Sequence, residues 1–226
     1  MKRSSIFCLI LILTSIIWSG CISEDAEDVN QERIRTNYLL QYNAGTERTY
    51  VSASFIFGST FLKLNSPSGV TFNDQSLKET EILGIVSYDR TFNGEVDEAK
   101  FVYENSEANI FENTLELAAP IDLSDTITQI SISQGALIPW VGNKSGAREN
   151  IELIINNGDV SFYDYIEALN ATSFEIKPNE LNINLTGAAT IRINRRLEMN
   201  LDETPDAGGS GSSIWESEEY PIQIVP

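Results

Sequence analysis

Thr49-Tyr50-Val51-Ser52-Ala53-Ser54-Phe55-Ile56-Phe57 is the stretch that decides the fold class. Val51, Ala53, Phe55 and Phe57 occupy every second position, with Ser52, Ser54 and Ile56 between them. Strand side chains alternate between two faces, so this spacing buries one face and leaves the other half-exposed. Gly58-Ser59 breaks the run, and Phe61 to Leu64 resumes it. The same pattern recurs along the chain. Ser66-Pro67-Ser68-Gly69 is a turn, Val70-Thr71-Phe72 a short strand and Glu81 to Tyr88 another. Asn93-Gly94 is a favoured hairpin turn, because both residues tolerate positive φ. Strands follow around Phe101 to Glu104, Glu112 to Leu117 and Thr126 to Ser133. Ile151 to Ile155 and Val160 to Tyr165 flank Asn156-Asn157-Gly158-Asp159, the clearest hairpin. Leu181, Ile183 and Leu185 alternate with polar residues, and Thr190 to Leu197 alternates again.

Helical spacing is nearly absent; its best short candidate is Tyr163 to Leu169. About nine to eleven strands separated by turn residues predict an all-β fold. The expected architecture is an antiparallel β-sandwich, Ig-like or jelly-roll-like, with a closed barrel as the alternative. A single sandwich over residues 47–200 is expected. Residues 21–46 read as an acidic tether, within which Ile34 to Tyr42 reads as a first short strand or a helical turn. Residues 201–226 read as a Gly/Ser-rich segment, flexible over Ala207 to Ser213, with Pro221 to Val225 as an edge strand or loose tail.

Composition narrows the function. The chain has 33 acidic and 15 basic residues, a formal charge of −18. Such a surface repels phosphate backbones, so nucleic acid is not an expected partner. There is no histidine. That removes the usual neutral-pH general base, the usual zinc ligand and any Ser-His-Asp arrangement. A carboxylate-pair hydrolase survives this exclusion, but no pair can be nominated from sequence. The only cysteines are Cys8 and Cys21.

The first 21 residues carry an address. Met1-Lys2-Arg3 is basic, Ile6 to Trp18 is mostly apolar and uncharged, and Ser19-Gly20 precede Cys21. The apolar run is short for a spanning helix, which needs about 20 residues. The segment resembles a prokaryotic lipoprotein signal peptide with its lipobox, departing from the commonest pattern at Trp18. The resemblance implies removal of residues 1–20 and acyl chains, palmitate among them, on Cys21. Two or more acyl chains hold a protein durably on a membrane. Cys8 would leave with the signal, so the mature domain would hold no intrachain disulfide. Ile22, in place of the aspartate that retains such proteins at an inner membrane, resembles the outer-membrane group if the source is Gram-negative. Glu24, Asp25, Glu27 and Asp28 resemble the acidic run of some surface-displayed lipoproteins. The order of strands and the Pro139-Trp140 pair resemble Ig-like β-sandwich lipoproteins.

Candidate site residues follow from chemistry. Hard cations such as calcium want several oxygen ligands. Asn156, Asn157, Asp159 and Asp164 offer them around one hairpin, and Asp122 and Asp125 around a second loop. Neither is an EF-hand, and Asn-Gly-Asp is also ordinary turn chemistry. Trp140 reads either as a core plug or as a platform for a ligand. Tyr163 and Tyr165 share a strand face, the spacing of a glycan-binding stripe and of ordinary packing alike. Arg192, Arg195 and Arg196 read as ion-pair partners of the abundant carboxylates or as an anion contact. The expectation is a lipid-anchored cell-envelope protein, at the outer membrane or cell surface in a Gram-negative source. It is not an enzyme but a binding module for protein or glycan, with no required cofactor. The alternatives are an assembly lipoprotein, contacting a partner through an open edge at Pro221 to Val225, and a histidine-free hydrolase.

Overall fold

A computed structural model describes residues 23–96, 98–124 and 127–226. These residues hold nineteen strands, three short 3₁₀ turns and no α-helix. The first ten strands are β1 (Glu24–Asp25), β2 (Ile34–Asn43), β3 (Arg48–Phe57), β4 (Thr60–Lys63), β5 (Gly69–Phe72), β6 (Gln75–Ser76), β7 (Lys78–Ile82), β8 (Ile85–Asn93), β9 (Ala99–Glu104) and β10 (Ile110–Leu115). They make an N-terminal lobe. Next come β11 (Ile121–Leu123), β12 (Gln129–Ser131), β13 (Ala136–Gly142), β14 (Glu149–Asn156), β15 (Ser161–Ile166) and β16 (Ser173–Ile176). They make most of a C-terminal lobe. Finally β17 (Gly187–Met199), β18 (Gly209–Glu216) and β19 (Tyr220–Val225) return through both.

The alternation in β3 holds: Thr49, Val51, Ala53 and Phe55 are buried. One large sheet follows the order β1-β4-β3-β2-β18-β17-β14-β15, with β8 and β7 beyond β3, and β19 and β12 beyond β17. Two small sheets, β10-β9-β5-β6 and β11-β13-β16, complete the molecule. Paired residues on neighbouring strands share a face. Tyr38 pairs with Gly211, which pairs with Met199; Leu40 pairs with Ser213, which pairs with Leu197. Ile193 and Ile191, on the same parity as Met199, pair with Leu153 and Ile155. The large sheet therefore lays both hydrophobic cores on one face, and each small sheet covers one of them.

The N-terminal core joins Tyr38, Leu40, Val51 and Phe55 to Phe72, Phe101 and Tyr103 of the small sheet. Tyr38 stacks on Phe101 at 4.6 Å between ring centroids, and Phe55 meets Tyr103 at 4.4 Å. The C-terminal core joins Ile151, Leu153, Ile155, Ile191 and Ile193 to Ile138, Trp140 and Phe174. Two cores thus stand where one was expected.

Several expectations need correction. Nineteen strands exceed nine to eleven, because two- and three-residue strands such as β1, β6 and β11 are too short to show a period. Three pairings, β1 with β4, β12 with β19 and β18 with β2, are parallel. The helical candidate Tyr163 to Leu169 begins inside strand β15. Within the expected tether, Ile34–Asn43 is a strand inside the large sheet. The segment Leu181 to Leu185 ends in a 3₁₀ turn, Ile183–Leu185, because Asn182 accepts a hydrogen bond from the Asn184 amide and caps it. Pro221 to Val225 is no open edge, since β19 pairs with both β17 and β12.

The Gly/Ser run is a strand for a steric reason. A Cβ on Gly209 would run into the Thr36 carbonyl oxygen of β2 and lie 2.5 Å from the Thr36 hydroxyl and 2.8 Å from Leu201 Cδ1, and one on Gly211 would lie 3.1 Å from Leu201 Cδ2 and 3.3 Å from Leu115 Cγ. Small residues let β18 sit between β2 and β17 under the first core. Gly209→Ala is expected to lower stability by about 1–3 kcal/mol through overpacking, read as a lower urea midpoint. Alkaline pH should act on the same core. Tyr103 is buried, its hydroxyl has no hydrogen-bond partner, and burial pushes its ionisation above the usual tyrosine range. An unfolded tyrosine ionises near pH 10, so this contribution is intact below that pH and is lost as pH rises beyond it. Tyr103→Phe should therefore move the alkaline unfolding midpoint upward, measured by circular dichroism.

Candidate functional site

Three arginines on β17 were candidates, and all three are ion-paired. Arg192 meets Glu219 at 3.4 Å, Arg195 meets Glu149 at 2.8 Å and Arg196 meets Glu152 at 3.3 Å. Arg195 is 1% exposed. It shares the core face with Ile193 and falls between the two cores. Its guanidinium donates to Glu149 Oε2 and to the carbonyls of Asn143 and Lys144. The Glu149 carboxylate also accepts the Gly146 amide at 2.7 Å, and the Asn143 carbonyl also accepts Trp140 Nε1 at 3.2 Å. Arg195 thus closes the loop after β13 around its own charge. It is a structural ion pair with no face left for a ligand.

Trp140 belongs to this arrangement. It is 8% exposed and packs edge-on to Phe174 at 5.8 Å. The core-plug reading stands, and Trp140 is not a ligand platform, because its indole is enclosed between the sheets of the C-terminal lobe.

The proposed calcium residues do not converge. Asn156 Oδ1 accepts the Gly158 amide, and Asn157 Oδ1 accepts the amides of Asp159 and Val160. Those amide oxygens close the turn instead of pointing at a shared centre. Asp164 lies three ladder positions away, about 10 Å, paired with Leu153 on the opposite strand face from Tyr163. Asp122 accepts both the Tyr220 hydroxyl and the Leu123 amide. Asp125 and Cys21 lie outside the described residues. Among the described residues no three acidic or cysteine side chains are grouped as metal ligands.

Tyr163 and Tyr165 are brought together as expected. They stand on the outer face of the large sheet, 54% and 52% exposed, with ring centroids 6.3 Å apart and tilted by 38°. Phe162 and Ile166 point the other way, against the core. Among the described residues β15 pairs only with β14, so no described strand covers its far side, an open edge. The residues beside the tyrosines were missed from sequence. Tyr165, Glu152, Asn194, Glu216 and Asn43 form one register row across five strands. Glu152 accepts from Asn194 at 3.2 Å and from Arg196, and Glu216 accepts from Asn43 at 2.7 Å. Partial burial of its ring and the Glu152 carboxylate push the Tyr163 ionisation upward, so it remains a neutral phenol at physiological pH. Two exposed aromatic rings beside the partly exposed Arg196 guanidinium can stack on a sugar face, or hold a peptide against the open edge.

A second concavity of about 540 Å³ lies at the side of the N-terminal lobe, between Gln31, Asn105, Asn109, Phe111 and Asp206. The buried groups at its rim are already satisfied. Gln31 bonds the carbonyls of Ala26 and Val29, and Asn105 Oδ1 bonds the amides of Glu107 and Asn109.

No family model matches the chain, and no curated protein matches it. Among solved structures, the I9–I11 tandem from titin is similar at 13% identity, over 84% of this chain and 66% of that one. The chain thus spans just under two thirds of that structure. The TM-score is 0.26, too low to carry an argument about this protein.

Removing one partner of the buried pair should be severe. Glu149→Leu is expected to lose about 3–5 kcal/mol of stability by stranding a buried guanidinium. Pairing it with Arg195→Met should recover much of that loss. Urea unfolding of the two single variants and the double variant measures the coupling.

Proposed function

We propose that this protein is a lipid-anchored cell-envelope protein whose C-terminal lobe is a non-catalytic binding module for protein or glycan. Each lobe is read as a sandwich of Ig-like or jelly-roll-like kind. The observation that carries the reading is the placement of the two ends. Ser23, two residues after Cys21, bonds Glu81 beside the β3–β4 turn, at the end of the N-terminal lobe marked by the pair Ile34 and Phe57. The other end of that ladder, Asn43 with Arg48, adjoins Glu216 and Asn194, which lead into the C-terminal lobe. A lipid on Cys21 would therefore hold one pole to the membrane and present the other. Tyr163 and Tyr165 stand on the presented lobe. In a Gram-negative envelope the place proposed for it is the outer membrane or cell surface.

The open edge of β15 favours a second reading, an assembly lipoprotein that accepts a partner strand there. It takes over the role first sought at Pro221 to Val225. A histidine-free hydrolase is the weakest alternative. Glu152 and Glu216 are both buried in the sheet face and already hydrogen-bonded, which leaves them poorly placed to flank a substrate.

Two measurements test the proposal. Cys21→Ser should leave the fold intact and release the protein from membranes; persistence in the membrane fraction would sink the anchor. Glycan arrays and crosslinking on intact cells should find a ligand whose binding falls about tenfold in the Tyr163→Ala/Tyr165→Ala variant. An unchanged ligand profile would remove the tyrosine face as the site. Loss of crosslinks with Ser161→Pro, at the first residue of β15, but not with the tyrosine variant would favour the assembly reading.

A further inference from the structure

Among the described residues, three of the four large exposed apolar side chains of the N-terminal lobe sit together at one hairpin tip, the fourth being Ile110. Ile82 is 66% exposed, Leu83 90% and Ile85 55%. Ile82 pairs with Ile85, and Leu83-Gly84 is the two-residue turn between β7 and β8. Both turn residues have positive φ, +53° at Leu83 and +80° at Gly84. Such turns favour Asn-Gly or Asp-Gly, and a bulky aliphatic residue is disfavoured there. Neither solubility nor turn geometry accounts for a leucine at this position.

The place of the tip says what it contacts. β8 runs antiparallel to β3, with Asn93 opposite Arg48, so Ile85 lies at the Phe57 end, away from the C-terminal lobe. Ser23 Oγ donates to Glu81 Oε1 at 3.0 Å, one residue before Ile82. Glu81 also pairs with Lys63 at 2.7 Å, and β1 lies along β4. Two residues span at most about 7 Å, so an acyl group on Cys21 would start within that reach of Ser23.

We propose that the tip Ile82-Leu83-Gly84-Ile85 is a wedge that enters the bilayer surface beside the lipid on Cys21. This rests on the lipid-anchor reading and adds a second, non-covalent contact to it. With one point of attachment the body can swing freely; with two, its long axis is held away from the surface. The charge around the tip selects the lipid. Glu24, Asp25, Asp28, Glu79 and Glu81 outnumber the basic groups at this pole, which are Lys63, already paired, and the exposed Arg33 and Arg35. The wedge therefore favours zwitterionic lipid, and anionic headgroups oppose it.

The test imposes the anchor chemically. The chain from residue 21 onward contains every described strand and a single cysteine, Cys21. It is coupled through that cysteine to a maleimide phospholipid in phosphatidylcholine vesicles, with Ile85→Trp as reporter. Against the same protein without the reporter, the added indole emission should shift to the blue on coupling and be quenched by lipids brominated on their acyl chains. Including phosphatidylglycerol should weaken both effects. Adding Leu83→Asn, which restores a favoured Asn-Gly turn, should abolish them while the melting temperature stays level or rises. An indole equally water-exposed on coupled and free protein overturns the wedge and leaves the anchor standing. A blue shift that needs no vesicles and grows with protein concentration also overturns it, because a second copy then covers the tip. Mass spectrometry of Cys21 from cells tests the anchor separately, since the vesicle result does not depend on cellular lipidation.

Discussion

The buried pair of Arg195 and Glu149 is the interaction around which the molecule is arranged. β17 is thirteen residues long and gives its first half to one core and its last residue to the other. A strand that serves two cores on the same face must cross a seam where neither small sheet covers it. Arg195 fills that seam. Its long stem packs like an apolar side chain, and its head closes the loop from Asn143 to Glu149. A charge at 1% exposure is tolerable only because carboxylate and carbonyl oxygens surround it. The pair's worth lies less in net stability than in setting where the second small sheet begins.

Close packing explains β18 as directly. This strand is rich in glycine and serine, and such composition usually signals a linker. Here it marks a strand pressed between two others, with Leu201 and Leu115 filling the space that side chains would have taken. Ser213 is fully buried for the same reason. β18 lies parallel to β2 and antiparallel to β17, so the last part of the chain joins the first to the middle. The contacts that unite the lobes are thus among the most distant in sequence, and folding must close long loops to form them.

The outer face of the large sheet shows how a very acidic chain remains foldable. Glu152, Glu216 and Glu219 are each held by an arginine or an asparagine on a neighbouring strand. Arg192, Arg195 and Arg196 are held within the sheet by their carboxylates, while Arg33, Arg35, Arg48, Arg90 and Arg148 are exposed. The negative excess is left to exposed loops and to the pole where the described chain begins. Polar rows of this kind give the sheet an outer surface that stays in register without burying an apolar layer. The two exposed tyrosines interrupt that surface, as the aliphatic tip of β7 and β8 interrupts the acidic pole.

The sequence by itself determined the all-β class, the half-buried strand at Thr49 to Phe57, the hairpin around Asn157-Gly158 and the shared face of Tyr163 and Tyr165. Each of these rests on a period of two or on a local turn, and both are properties of neighbouring residues. It also showed that Arg192, Arg195 and Arg196 had carboxylates enough to meet, though not which ones. Only the tertiary structure decided that two cores share one sheet, that Gly209 to Glu216 is a central strand and that Ile34 to Asn43, legible as a strand or a helical turn, is a strand between β3 and β18. Only there do Asn156, Asn157, Asp159 and Asp164 separate, and Trp140 turn inward. These outcomes depend on which strands lie side by side, and partners such as Asn43 and Glu216 are 173 residues apart. No local pattern of side chains encodes that choice; steric fit at Gly209 and charge closure at Arg195 make it.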